Sequence, residues 1–234
     1  MVTFLFDPSD ERVSGMELLP VDLGAVEWLI DHDRRHRGDG SSFSGRAPAV
    51  FEVYLRILHP AQLVVGGVPR DVSWREVAGA TGKPLLASCK FEDFDDVYEV
   101  PGFGRLVSPA GMTGDLGDVQ CNQLVDVLGV GNTEPDGCIV GFASHRASFV
   151  PSSPALKAVD FKGGTYLFAA SSFAQVCDFG MSPSFWWPKD RSWILVTPSD
   201  STSSLMGCGA ETAAAVLSVG VEALVIGPDD PVPL

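Results

Sequence analysis

His32 and His36 stand four residues apart, the interval that places two imidazoles on one face of a helix. Asp31 and Asp33 flank the first, so the segment holds the residue types of a metal site. A zinc-protease helix carries glutamate directly after its first histidine, whereas Asp33, Arg34 and Arg35 fill the interval here. Two arginines beside a dication are unfavourable, so no metal is expected and the pair reads as a solvated helix end. Cysteine–histidine catalysis would need a thiol beside His59 or His145. Cys208, between Gly207 and Gly209 and just before an alanine-rich helix, is the best placed, because a helix N-terminus acidifies a thiol. Ser144-His145-Arg146 and the run from Ser199 to Ser204 offer hydroxyls, but no Gly-x-Ser-x-Gly turn presents one. Gly129-Val130-Gly131-Asn132 lacks the third glycine of a dinucleotide fingerprint, and no Walker sequence occurs. No cofactor is expected and no catalytic residue is assigned.

Two aromatic blocks remain. Ser182-Pro183-Ser184-Phe185-Trp186-Trp187-Pro188-Lys189-Asp190-Arg191-Ser192-Trp193 sets two tryptophans between prolines that fix the backbone. Arg191 has the chemistry to stack on a tryptophan or pair with a carboxylate. Further upstream, Phe91, Asp93, Phe94, Asp95, Asp96 and Tyr98 interleave acids with rings in a loop-like stretch. Aromatics among acids suit an interface for a cationic partner, while the commoner alternative anchors the rings in the core.

These residues need a scaffold, and the hydropathy pattern supplies one. Helical spacing is expected over Leu23 to Asp33, Asp118 to Leu128 and Glu211 to Val219. Ser73 and Glu76 have the offset of a capping box opening a short helix. Strands are expected at Val2 to Phe6, Phe51 to Leu58, Gly137 to Ala143, Thr165 to Ala170, Trp193 to Thr197, Ser203 to Met206 and Val221 to Ile226. In Phe51 to Leu58 the alternation leaves Glu52, Tyr54 and Arg56 on an outer face. Strands and helices do not alternate regularly, so the expected class is α+β, with a mostly antiparallel central sheet flanked by a few helices. Residues 1–48 read as an N-terminal strand, helix and flexible loop packed on the main body, and 49–234 as a single α+β domain.

The 234 residues are 45% hydrophobic and 20% charged, a globular balance that needs no disulfide or metal staple. The five cysteines are scattered and odd in number, so all are expected reduced in a cytoplasmic setting. Asp7, Asp10 and Glu11 follow the apolar start at once, unlike a signal peptide, and no apolar run reaches the roughly 20 residues of a membrane span. Sixteen Lys and Arg against thirty Asp and Glu leave a formal charge of −14, which repels nucleic acid and favours a basic protein.

The Ser-Pro-x-x-Trp-Trp-Pro-x-Asp-Arg-x-Trp block resembles the signature of an uncharacterised actinobacterial protein family. Arg56-Ile57-Leu58-His59-Pro60 and Ser73-Trp74-Arg75-Glu76-Val77-Ala78 resemble its earlier elements in the same order. The resemblance spans residues 50 to 230. The chain departs from it at Thr197-Pro198-Ser199-Asp200 and at Gly207-Cys208-Gly209. The resemblance implies a shared architecture and no particular activity.

The leading expectation is a non-enzymatic cytoplasmic protein-binding module, of the immunity type against a basic toxin. Its partner surface would be Phe91, Asp93, Phe94, Asp95, Asp96 and Tyr98. The alternative is an enzyme or small-molecule-binding protein with a pocket at Trp186, Trp187, Arg191 and Cys208.

Overall fold

The computed structural model describes residues 18–35, 41–94, 99–100, 104–107, 115–130, 134–149, 153–179, 181–199 and 201–232. The expected strand at Val2 to Phe6, together with His36, Asp95, Asp96 and Tyr98, lies outside them. The class is α+β. Among the described residues twelve strands run in chain order as β1 (Val53–Leu58), β2 (Ala61–Val65), β3 (Val68–Val72), β4 (Glu99–Val100), β5 (Gly104–Val107), β6 (Cys138–Ala143), β7 (Lys157–Phe161), β8 (Gly164–Ser171), β9 (Phe185–Pro188), β10 (Trp193–Val196), β11 (Ser203–Cys208) and β12 (Ala223–Ile226). Four α-helices accompany them among the described residues: α1 (Glu27–Arg35), α2 (Trp74–Thr81), α3 (Asp118–Leu128) and α4 (Ala210–Ser218).

Eight strands form one antiparallel sheet in the order β12-β1-β11-β10-β9-β6-β8-β7, and four form a second in the order β3-β2-β5-β4. The central strands of the large sheet are buried on both faces. Leu55, Ile57, Val140, Trp186, Leu195 and Met206 face one core, covered by Leu124 of α3, Val216 of α4 and the 3-10 turn Phe173–Phe179. Tyr54, Ile139, Phe168, Trp187, Ile194 and Leu205 face the other, covered by Val26, Leu29, Phe43 and Ala47. A sheet with two covered faces reads in sequence as apolar runs rather than alternation. That explains Cys138-Ile139-Val140-Gly141-Phe142-Ala143, every residue of which is buried. Gly141 is required there, because a Cβ would collide with the Phe168 ring.

The second sheet has its own core of Leu58, Leu63, Val72, Trp74, Val77, Phe91 and Phe94. Its helix α2 opens on the expected capping box: Ser73 accepts from the Glu76 amide and the Glu76 carboxylate accepts from the Ser73 amide. The hairpin β2–β3, turning at Gly66 and Gly67 with φ of 60° and 86°, leaves β3 mostly exposed. Its weak apolar content hid it from the periodicity reading.

Two expectations are corrected, for the outer face of β1 and for the cysteines, and the Trp-Trp block, to which the sequence assigned no element, gains one. The outer face assigned to Tyr54 and Arg56 is instead buried, both residues lying beneath other layers. The Trp-Trp block forms strand β9, with Trp186 opposite Leu195 and Val140. The cysteines are not all reduced: Cys121 of α3 is bonded to Cys177 of the turn Phe173–Phe179, while Cys89, Cys138 and Cys208 are free and buried. The bonded pair is 56 residues apart in sequence and meets only because α3 and that turn pack on the same face. Closing a loop of that length removes denatured-state entropy equivalent to roughly 4 kcal/mol. No helix among the described residues is long and apolar enough to cross a membrane. Thiol titration of denatured protein prepared without reductant should return three free thiols, and five after reduction; five before reduction would remove the bridge.

Candidate functional site

Strand β1 carries the least expected residue of the core. Arg56 is fully buried, and its Nε donates to the Ser203 hydroxyl at 3.0 Å. Nη1 donates to the carbonyls of Ala87 and Cys89, both at 2.7 Å, and the guanidinium lies 5.3 Å from the Trp74 ring centroid. These partners are neutral, and burial pushes the arginine down to about 10, partly offset by Cys89. Since β1 belongs to the large sheet and Cys89 and Trp74 to the core of the second, Arg56 joins the two. Glu222, just before β12, reinforces the joint: its carboxylate accepts from the amides of Trp74 and Arg75 at 2.6 and 2.8 Å.

One residue beyond β1, His59 continues the same joint. Its carbonyl accepts from Trp74 Nε1 at 2.8 Å, and its Nε2 lies 2.8 Å from the Ser204 hydroxyl. Ser204 in turn meets Thr197 Oγ1 at 2.8 Å, and the Thr197 amide donates to the Ser184 carbonyl at 2.9 Å. Register explains the row. Val196 pairs with both Leu205 and Phe185, so the next positions, Thr197, Ser204 and Ser184, fall side by side across three strands. A cross-strand line of polar residues thus follows the apolar line of Met206, Leu195 and Trp186. Arg146 sits over this end with its Nη2 at 3.2 Å from Asp115, whose same oxygen accepts from the Ser182 amide at 2.7 Å.

The His59–Ser204 contact has the parts of a proton-transfer pair. Among the described residues no carboxylate meets His59 Nδ1, which would be needed to fix the imidazole and stabilise its cation. Burial pushes the ring down to about 3, opposed by the Ser201 backbone and helped by the smaller effects of the Arg56 and Arg146 charges. A neutral imidazole sealed between two layers serves here as a hydrogen-bonding tie. Sequence reading had marked His59 and the serine run separately. The missing signal was the register that sets them beside each other.

The other sequence-singled residues separate. Trp186 and Trp187 are both fully buried but on opposite faces, Trp186 against Trp193 at 5.1 Å and Trp187 against Phe168 at 5.8 Å. Arg191 is exposed, lies 5.3 Å from the Trp28 ring and donates to the Gly24 carbonyl at 3.1 Å. Cys208 pairs with Val53 and Trp193, at the far end of β11 from the serines beside His59. Its thiol is pushed up to about 11 by burial, and Glu52 adds to the shift, so the expected acidification is reversed. Trp186 and Trp187 face opposite sides of the sheet and Arg191 lies on the surface, so these four side chains do not converge on one site. His32 is buried, with Nε2 at 2.7 Å from the Ser44 carbonyl, and no group of three metal-ligand side chains occurs among the described residues.

The acidic turn divides cleanly. Phe91 and Phe94 are buried, with ring centroids 5.1 and 6.0 Å from Trp74, while Glu92 and Asp93 point outward. Asp93 also works locally, accepting from the Lys90 amide at 2.7 Å. The rings anchor the turn and the acids form its outer rim.

No family model, curated protein or solved structure matches the chain.

Two outcomes follow from this geometry. Replacing Trp187 by alanine should lower stability by about 3–5 kcal/mol in denaturant titration, because the ring is fully enclosed. His59 has a folded value below its ordinary 6.5, so the unfolded chain binds more protons in acid. Its contribution is complete above pH 6.5 and declines as pH falls from there toward 3. The decline in stability between pH 6.5 and 4 should be shallower in His59→Gln than in the parent, measured by thermal unfolding.

Proposed function

We propose that the protein is a non-enzymatic binding module that receives a basic protein partner on its acidic surface, as an immunity protein receives a cationic toxin. The carrying observation is the formal charge of −14, part of it displayed on a turn whose backbone is pinned by buried Phe91 and Phe94. Charges on a pre-ordered turn cost little further ordering when a partner docks. Acidic fields of this kind mainly speed encounter with a cationic surface. Asp95 and Asp96 extend the same acidic run in sequence.

A cytoplasmic site of action belongs to this reading, with support from the three free buried thiols. There the Cys121–Cys177 bond would be exposed to reductants, and the fold would rest on its two apolar cores.

The test replaces Glu92 by Gln and Asp95 and Asp96 by Asn, leaving Asp93 to cap its turn. Against a basic protein recovered with the parent chain, the triple variant should associate at least about tenfold more slowly at low salt. The difference should shrink as salt rises, because exposed charges are screened over about 8 Å at physiological ionic strength. Thermal stability should be unchanged. Equal association rates for parent and variant at low salt would move the interface elsewhere, and co-expression without protection from the recovered protein would remove the immunity role.

A further inference from the structure

At the edge of the large-sheet core that holds Phe43 and Trp187, Arg46, Lys162, Tyr166 and Ser199 surround a small cavity of about 40 Å³, with Phe185 and Val196 as its apolar wall and Thr197 also in its lining. We propose that this cavity binds a small oxyanion, a free phosphate or carboxylate group, between Lys162, Arg46 and the hydroxyls of Tyr166 and Ser199. The site lies outside the acidic turn and goes beyond the partner-binding reading.

The lining has two cations and no carboxylate, in a chain whose formal charge is −14. Lys162 is held in position. It occupies the tight turn between β7 and β8 at φ of 54°, and its amide donates to Asp33 at 3.0 Å. Its Nζ donates to the Gly45 carbonyl at 2.8 Å and lies 3.8 Å from Asp33. Burial lowers the lysine's proton affinity, Asp33 raises it and the Arg46 charge lowers it further, so two like charges share this corner. Tyr166 also senses Arg46, while its ring is fixed between Phe161 at 4.7 Å and Phe185 at 5.3 Å. Among the described residues neither the Tyr166 nor the Ser199 hydroxyl has a hydrogen-bond partner. Two neighbouring cations and two open hydroxyls form a donor set that an oxyanion satisfies through charge-assisted hydrogen bonds.

Size narrows the ligand. One water needs roughly 10–15 Å³ of such space, so the cavity admits a few atoms, and a metabolite-sized pocket is roughly 300–1,000 Å³. The apolar wall allows a short aliphatic carboxylate as well as phosphate.

Inorganic phosphate and acetate would each be titrated into the full chain at constant ionic strength, with chloride as the balancing salt. Tyr166 and Lys162 resonances would report the site by NMR. Expected are saturable shifts confined to residues around the cavity, with phosphate and acetate competing. Lys162→Gln should weaken binding at least about tenfold, the loss of a charged hydrogen bond. Tyr166→Phe removes a single hydroxyl from an otherwise unchanged ring. It should weaken binding about threefold to tenfold, with an unaltered thermal midpoint in chloride. Linear, non-saturating shifts, or equal affinity in parent and Tyr166→Phe, would overturn the site. Saturation by only one of the two anions assigns the ligand class. Neither result depends on whether a protein partner binds the acidic turn.

Discussion

A buried cation, Arg56, stands at the junction of the two layers of this protein. Arg56 leaves the large sheet and ends on main-chain carbonyls of the second layer, under the ring of Trp74. Burying a guanidinium among neutral groups is costly unless its donors are met. Here Nε meets a hydroxyl and Nη1 two carbonyls, a tryptophan face lies beside the group, and Nη2 is buried without a hydrogen-bond partner among the described residues. Without Arg56 the buried Cys89 carbonyl would lose its donor, at about 1–3 kcal/mol. His59 and Glu222 gather at the same seam, each tied to Trp74. Trp74 then supports Phe91 and Phe94, which place the acidic turn. The chain of dependence runs from one arginine to the surface on which a partner is proposed to dock.

Much of the architecture was legible because long apolar segments have few ways to be satisfied. The helices at 118–128 and 211–219 and the strands at 137–143 and 165–170 appear close to their expected places. The capping box was visible because its two side chains act within four residues of chain. What escaped depends on distant parts of the chain. Arg56 looked outward because alternation in a single strand cannot reveal a second layer above it. The Trp-Trp block, bracketed by prolines, was assigned no element from its sequence, yet Pro188 ends a strand whose partners are β6 and β10. The disulfide joins residues whose sequence spacing carries no pairing signal.

The site residues divide in the same way. Phe91 and Phe94 announced themselves by composition, and burial settled which way they point. Lys162 and Tyr166 gave no signal, since each stands among unremarkable neighbours and only the β7–β8 turn brings Lys162 beside the loop carrying Arg46. Cys208 shows the opposite failure. A glycine-flanked thiol before a helix suggested an acidified nucleophile, but full enclosure dominates any benefit from the helix end.

The two margins of the large sheet bear on how crowded solutions of this chain behave. Its outermost strands, β12 and β7, are four and five residues long. The first runs directly into Gly227 and Pro228, and the second carries Lys157 and Asp160 on an exposed flank. Short, proline-stopped or charged margins give an approaching strand little to zip onto. On the smaller sheet, Pro69 removes one amide from the outer strand β3. The architecture therefore discourages runaway strand addition between copies, so concentrated preparations should resist fibril formation even though nearly half of the sequence is apolar.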